Sequence, residues 1–328
     1  MSDFDYFHLI PQHSPLNSRS ECDISATFAP GFSMGTPFIA SPMSSVTGDF
    51  FVNRTYCDAG VFPIAHRYAS INDQCNGLSG PGPVLQIGAA FSQSDWFRID
   101  QLIKCEPYML MGDIAHGDSL HFFQTVKKIR DAGYTGVVCS ANIVTAEAAR
   151  RAIESGCNAL RVGIGGGSVC RTRGVAGVGR NTLRAIREIN KAFPTVPILA
   201  DGGMRHSGDI VKALAAGATG VILGRIFAAC VESPAPFVNG KKVYAGMASL
   251  YAEGLRERAD SGTNKLSYRQ TAAEGIDELI DAKGTVQETV NWLSGGVRAG
   301  MAYLGARTIK ELQDFAEWER IDAGPTIC

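Results

Sequence analysis

The stretch Gly163-Ile164-Gly165-Gly166-Gly167-Ser168-Val169-Cys170-Arg171-Thr172 sets a thiol at the end of a glycine-rich turn. Glycines let backbone amides close around an anion, and a thiolate adds to electron-poor carbon, so one turn can hold a phosphate and attack what is attached to it. Thr172 adds a hydroxyl two residues on, in reach of a water or an amine. Read alone, the stretch is more simply a tight turn beside a buried thiol. Two further signals favour the chemical reading. Asp201-Gly202-Gly203 and Gly224-Arg225 are both glycine turns that could grip a phosphate, and the Asp201 carboxylate can accept from two ribose hydroxyls or, alternatively, cap a helix.

These residues all follow short apolar runs. Eight such runs, at 37–40, 60–65, 84–88, 108–111, 136–139, 160–162, 197–200 and 220–223, have the near-continuous hydrophobicity of parallel strands covered on both faces. Helical periodicity fills 120–132, 146–155, 182–193 and 209–216, each closed by glycine or proline. Alternation of this kind predicts a (β/α)8 TIM barrel rather than a doubly wound open sheet, with the chemistry at the C-terminal ends of the strands. The expected organisation is a single barrel domain over 1–328. It carries a mobile active-site loop at about 253–273, where Arg256, Glu257 and Arg258 also suit a solvated face, and a C-terminal helical extension at about 285–320.

The 328 residues carry a net charge of −1 and nine cysteines without paired spacing. Near-neutrality gives no footprint for a nucleic-acid backbone or an anionic membrane, and no apolar run approaches the length of a membrane span. Unpaired cysteines, several in apolar runs, predict a reducing, cytoplasmic setting. The expected partner is a small molecule.

Six motifs in order resemble those of the IMP dehydrogenase/GMP reductase family. They are Ser41-Pro42-Met43-Ser44-Ser45-Val46-Thr47, Asp113-Ile114-Ala115-His116-Gly117, the run from Leu160 to Cys170, Ala200-Asp201-Gly202-Gly203, Tyr244-Ala245-Gly246-Met247-Ala248-Ser249 and Glu274-Gly275. The resemblance implies that Cys170 attacks C2 of a purine while hydride moves to or from a nicotinamide, and that Thr172 positions the water or ammonia. It places Ser168, Gly203, Gly224 and Arg225 at the phosphate, Asp201 at the ribose, and Met247, Glu274 and Gly275 at the purine. Asp113 and Asn142 face the cofactor, and the carbonyls of Gly165, Gly167 and Cys170 hold a monovalent cation, K+. It further implies a purine nucleoside monophosphate as substrate and a homotetramer.

The resemblance leaves the direction of reaction to details. A regulatory domain pair, the CBS insert of dehydrogenases, has no counterpart in the short segment 69–83, and Tyr268-Arg269 stands close to Glu274-Gly275. Both features resemble reductases, so the sequence predicts NADPH-dependent deamination of GMP to IMP. An IMP dehydrogenase that lacks the insert and uses NAD is the alternative, and a catalytically silent purine-nucleotide-binding regulator the second. Departures from the family pattern include Ser267, Ser44, Asn181-Thr182, Arg171 and Arg225.

Overall fold

The computed structural model describes residues 2–29, 31–78, 87–249 and 274–321. Eight parallel strands, β1 (Phe38–Ala40), β2 (Phe62–Ala65), β3 (Gly88–Phe91), β4 (Met109–Gly112), β5 (Val137–Cys139), β6 (Leu160–Val162), β7 (Ile198–Asp201) and β8 (Gly220–Leu223), pair in the order β5-β4-β3-β2-β1-β8-β7-β6. The ends of that order meet. A parallel bridge between Cys139 and Ala159, with the Ser140 amide donating to the Ala159 carbonyl over 2.9 Å, joins β5 to β6 and closes a (β/α)8 barrel.

The apolar runs become these strands because both faces are covered, and every residue of β1 to β6 and of β8 is buried. One boundary differs from the sequence expectation. The third strand starts at Gly88, where the run 84–88 was expected to end; residues 84–86 lie outside the described residues.

The helices expected from periodicity form as α4 (Leu120–Asp131), α5 (Ala146–Ser155), α6 (Thr182–Ala192) and α7 (Ser207–Ala215). Ser119, Thr145, Asn181 and His206 cap them by accepting a backbone N–H in the first turn. His206 therefore fills the capping role that Asp201 could have taken. Three earlier helices, α1 (Phe50–Asp58), α2 (Ile71–Asn76) and α3 (Trp96–Lys104), escape the periodic pattern because they bury polar side chains, Asn53, Gln74 and Arg98. Arg98 donates to Gln74 Oε1 (2.9 Å), and Gln74 donates to the carbonyls of Ala65 and Ala90.

In the C-terminal extension, expected to be helical, α8 runs over Val286–Tyr303. Gly296 and Gly300, inside this helix, are packing positions. A Cβ at Gly296 would lie 2.1 Å from Ser207 Oγ, and one at Gly300 2.7 Å from Val211 Cγ1, so their small size lets α8 lie directly on α7. The last helix, α9, spans Ile309–Phe315.

Small antiparallel sheets decide which end of the barrel is open. The hairpin of Ala26–Ala29 with Phe32–Met34 sets Phe28 and Phe32 against Phe62 at the start of β2, with ring centroids 5.9 and 4.9 Å away, and so plugs the N-terminal end. A second sheet of Phe237–Val238, Lys241–Ala245 and Asp277–Ile280 stands beside the opposite end. No helix among the described residues is long and apolar enough to cross a membrane.

Candidate active site

The loop after β6 carries the thiol. Gly163 begins it with φ +145°, and a Cβ there would lie 2.0 Å from the Asp201 carbonyl oxygen, so only glycine lets this turn cross the end of β7. Beyond it the chain acts as an extra edge of the antiparallel sheet: the Arg171 amide donates to the Glu274 carbonyl (2.6 Å), and Ile276 N donates to Val169 O (3.0 Å). The Gly246 amide in turn donates to Ile276 O (3.0 Å). Cys170 is thereby pinned between Gly167, whose carbonyl accepts its amide, and Gly275. Its Sγ lies 3.2 Å from Thr172 Oγ1.

Cys170 and Thr172 open on a cavity of about 260 Å³ at the C-terminal mouth of the barrel. Asp113, Asn142, Gly165, Gly167, Asp201, Gly224, Met247, Glu274 and Gly275 also line it. Most of the residues expected at the site are thus brought together. Ser168, Gly203 and Arg225 flank the cavity instead. Ser168 is exposed, Gly203 is covered by Phe4, and Arg225 is ion-paired to Glu278. Tyr268, Arg269, Ser267 and the expected loop at 253–273, with Arg256, Glu257 and Arg258, lie outside the described residues.

Beneath the cavity runs a lattice of charge that the sequence reading did not assign. Arg161, on β6 and only 6% exposed, donates from Nε to Asp201 Oδ2 (2.8 Å) and from Nη1 to Asp113 Oδ1 and the Gly112 carbonyl (3.1 Å each). Arg67 grips the other oxygen of Asp113 at 3.0 Å and lies over the ring of Tyr68, whose hydroxyl donates to Met247 O at 2.8 Å. Burial works against the charge of both arginines, yet their carboxylate partners hold them above the ordinary arginine range, Asp201 and Asp113 for Arg161 and Asp113 for Arg67. Asn142 donates to Asp201 Oδ2 (2.8 Å) and the Gly163 carbonyl (2.7 Å), which ties the ribose candidate to the Cys170 loop. His116, the other histidine of this face, is exposed, and the arginines rather than it hold Asp113.

The other thiols are of a different kind. Burial pushes Cys57 and Cys157 up to about 12 and also raises Cys139 well above the ordinary thiol range, which leaves them protonated and inert at neutral pH.

The carbonyls of Gly165 and Cys170 accept no hydrogen bond among the described residues, whereas that of Gly167 takes the Cys170 amide. Neutral carbonyl oxygens are the donor type that suits a hard monovalent cation. Among the described residues no cluster of His, Cys, Asp or Glu side chains suits a metal ion.

Over residues 2–325 the chain matches the family model described as the IMP dehydrogenase / GMP reductase domain. It belongs to that family. Curated relatives include inosine-5′-monophosphate dehydrogenases of Aquifex aeolicus (43% identical over 247 residues), Halalkalibacterium halodurans (41% over 247) and Nitrosopumilus maritimus (39% over 242). The matches cover 71–72% of this chain and 49–51% of these relatives and of those from other archaea, so the chain spans about half the length of the curated relatives it matches. Family membership agrees with the barrel and with the six motifs.

His66, at the end of β2, provides a pH test of this mouth. Its Nδ1 accepts the Tyr68 amide (3.2 Å), and burial lowers its pKa to about 4, against a smaller opposing pull from Asp113. Above about pH 6.5 the ring is neutral in folded and unfolded chains alike, and its contribution is whole. As pH falls towards 4, the unfolded chain takes up a proton that the folded ring refuses, and stability drains by up to about 3 kcal/mol. Urea unfolding of His66→Gln should accordingly show a smaller loss between pH 7 and 5 than the wild type; identical slopes would exclude the buried neutral ring.

Proposed function

We propose that the chain is a purine nucleoside 5′-monophosphate oxidoreductase working at C2 through Cys170, and that it runs in the dehydrogenase direction, from IMP, water and NAD to XMP and NADH. The observation that supports the chemistry is the placement of Cys170 Sγ 3.2 Å from Thr172 Oγ1 in a cavity that Asp201 also lines. The direction draws on the relatives, which are named inosine-5′-monophosphate dehydrogenases. It reverses the emphasis of the sequence reading, which put the reductase first.

In this reading Asp201 accepts the ribose hydroxyls through Oδ1, since Arg161 and Asn142 already occupy Oδ2. The turns at Gly203 and Gly224, with Ser168, take the phosphate, while Arg225 acts from the rim through its pair with Glu278. Glu274, Gly275 and Met247 hold the purine edge so that C2 faces Sγ. Anchoring both ends of the nucleotide away from C2 supplies the orientation. Cys170 bonds to C2, and the Thr172 hydroxyl orients the water that later displaces it. A bound nicotinamide, held beside Asp113 and Asn142, supplies a two-electron acceptor for the hydride leaving C2. The carbonyls of Gly165, Gly167 and Cys170 hold K+. A homotetramer in the cytoplasm completes the assignment, on the strength of the family resemblance.

The reductase reading, GMP and NADPH to IMP and ammonia, keeps two sequence features in its favour: the short segment 69–83, and Tyr268-Arg269 close before Glu274-Gly275. A single pair of assays separates them. Purified protein with IMP and NAD should form the reduced cofactor and XMP; oxidation of NADPH with GMP and release of ammonia, without activity on IMP and NAD, would overturn the proposed direction. Guanosine or inosine should bind far more weakly than the monophosphates, by about 1.5–3 kcal/mol for each charge-assisted hydrogen bond that the absent phosphate would have made.

A further inference from the structure

We propose that residues 2–5 form a strut holding both loops of the active site, with Asp3 and Ser2 as positioning residues for the Cys170 loop and for the Asp201-Gly202-Gly203 turn. The proposal rests on Cys170 being the nucleophile.

Asp3 is almost fully buried beside the site, 170 residues from the arginine that answers it. Arg173 donates to it through both ends of its guanidinium, Nη1 to Oδ1 at 2.8 Å and Nη2 to Oδ2 at 2.5 Å, and the Thr182 amide donates to Oδ2 at 2.8 Å. Burial alone would raise this carboxyl, but Arg173 and Thr182 hold it below the ordinary aspartate value. The same guanidinium reaches the carbonyls of Arg180 (2.6 Å) and Ile164 (3.4 Å). Its stem runs between Gly165 and Gly179, where an added Cβ would lie 2.6 and 2.7 Å from Arg173 Cγ. An arginine three residues beyond the nucleophile thus clasps the beginning of the cradle and the segment that returns from it, and Asp3 fixes its fork in one orientation.

The neighbours of Asp3 reach the next loop. Ser2 Oγ donates to the Gly203 carbonyl (2.9 Å), and the fully buried Phe4 ring stands 3.3 Å from where a Gly203 Cβ would be. Lys212 Nζ on α7 donates to the Phe4 carbonyl (3.0 Å), and Asn181 Nδ2 to the Asp3 carbonyl (2.9 Å). Asp5 pairs with Arg205. Glycine-rich loops have little stiffness of their own, so their geometry depends on what is fastened to them. One short segment fastens the loop of the nucleophile and the loop at the ribose and phosphate end.

The two attachments act on different kinetic constants. Asp3→Asn and Arg173→Leu should each lower kcat about ten- to a hundredfold by displacing Sγ, with the KM for IMP little changed. Because they remove one unit, the double variant should be no slower than the slower single. Ser2→Ala should raise the KM for IMP about fivefold, the effect of removing roughly one hydrogen bond, with kcat within twofold. Active sites are counted by the stoichiometry of IMP binding in calorimetry, so misfolded protein does not enter kcat. Amide exchange over 163–170 in Asp3→Asn should rise about tenfold while the barrel strands stay protected. A lowered Tm with unchanged kcat per IMP-binding site would overturn the strut. Should Asp3→Asn not fold, Arg173→Lys, which keeps the charge but loses the fork, carries the same measurements. If the wild type turns over neither nucleotide pair, the failure lies with the catalytic reading, and exchange alone decides the strut: unchanged exchange over 163–170 overturns it.

Discussion

Cys170→Ala should bind IMP with near wild-type affinity and lose turnover by a factor on the order of 10³ or more. In the proposed mechanism the thiol contributes only once it bonds to C2, whereas the nucleotide would be held by Asp201, the glycine turns and the Glu274 segment, so binding and chemistry should separate in this variant. Thr172 sits in the first turn of the short helix Thr172–Val175 and is fixed independently of the sulfur, so alanine at 170 leaves its hydroxyl in place. Calorimetry with IMP and a steady-state assay measure the two halves. Retention of more than a few per cent of wild-type kcat would remove Cys170 as nucleophile. Loss of IMP binding as well would point to a collapsed loop, and Cys170→Ser would then separate structure from chemistry.

Arg161→Leu is expected to cost about 3–5 kcal/mol of folding stability, the scale for removing one partner from a buried ion pair. The cost is high because Asp113 and Asp201 both lean on this one guanidinium, and both are at least half-buried at the barrel mouth. Without it Asp113 keeps Arg67, but Asp201 keeps only the neutral Asn142 amide in a poorly solvated site, and it must take up a proton or the mouth must open to water. Urea unfolding gives the loss directly. Adding Asp201→Asn to Arg161→Leu should recover part of it by removing the stranded charge, since the two positions are in contact and their effects do not add. A loss below about 1 kcal/mol in the single variant would mean that water already solvates the lattice and that the pair behaves as a surface ion pair.

What the sequence could show depended on the range of the interactions involved. Strands covered on both faces are largely apolar, so most of the strands β1 to β8 were visible as near-continuous hydrophobic segments, and their alternation with helical stretches closed by glycine or proline implied the barrel. A barrel gathers whatever follows its strands onto one face, which is why Cys170, Asp201, Gly224, Asp113 and Asn142 could be placed together before any contact was known. The helices α1 to α3 were missed for the converse reason. Their inner faces carry Asn53, Gln74 and Arg98, and polar residues satisfied by distant carbonyls break the hydrophobic period that marks a helix.

The charge lattice and the strut belong to the tertiary structure alone. In the sequence, Arg161 is a lone charge within an apolar run; its meaning comes from Asp113 on β4's end and Asp201 on β7, two strands that only barrel closure brings to either side of it. Asp3 and Arg173 are separated by 170 residues, with nothing in either neighbourhood that names the other. Local pattern records which side chains turn inward, because burial is a property of each element's own faces. Pairing of buried charge requires a specific partner at hydrogen-bond distance, and which residue stands there is settled by how the elements close on one another.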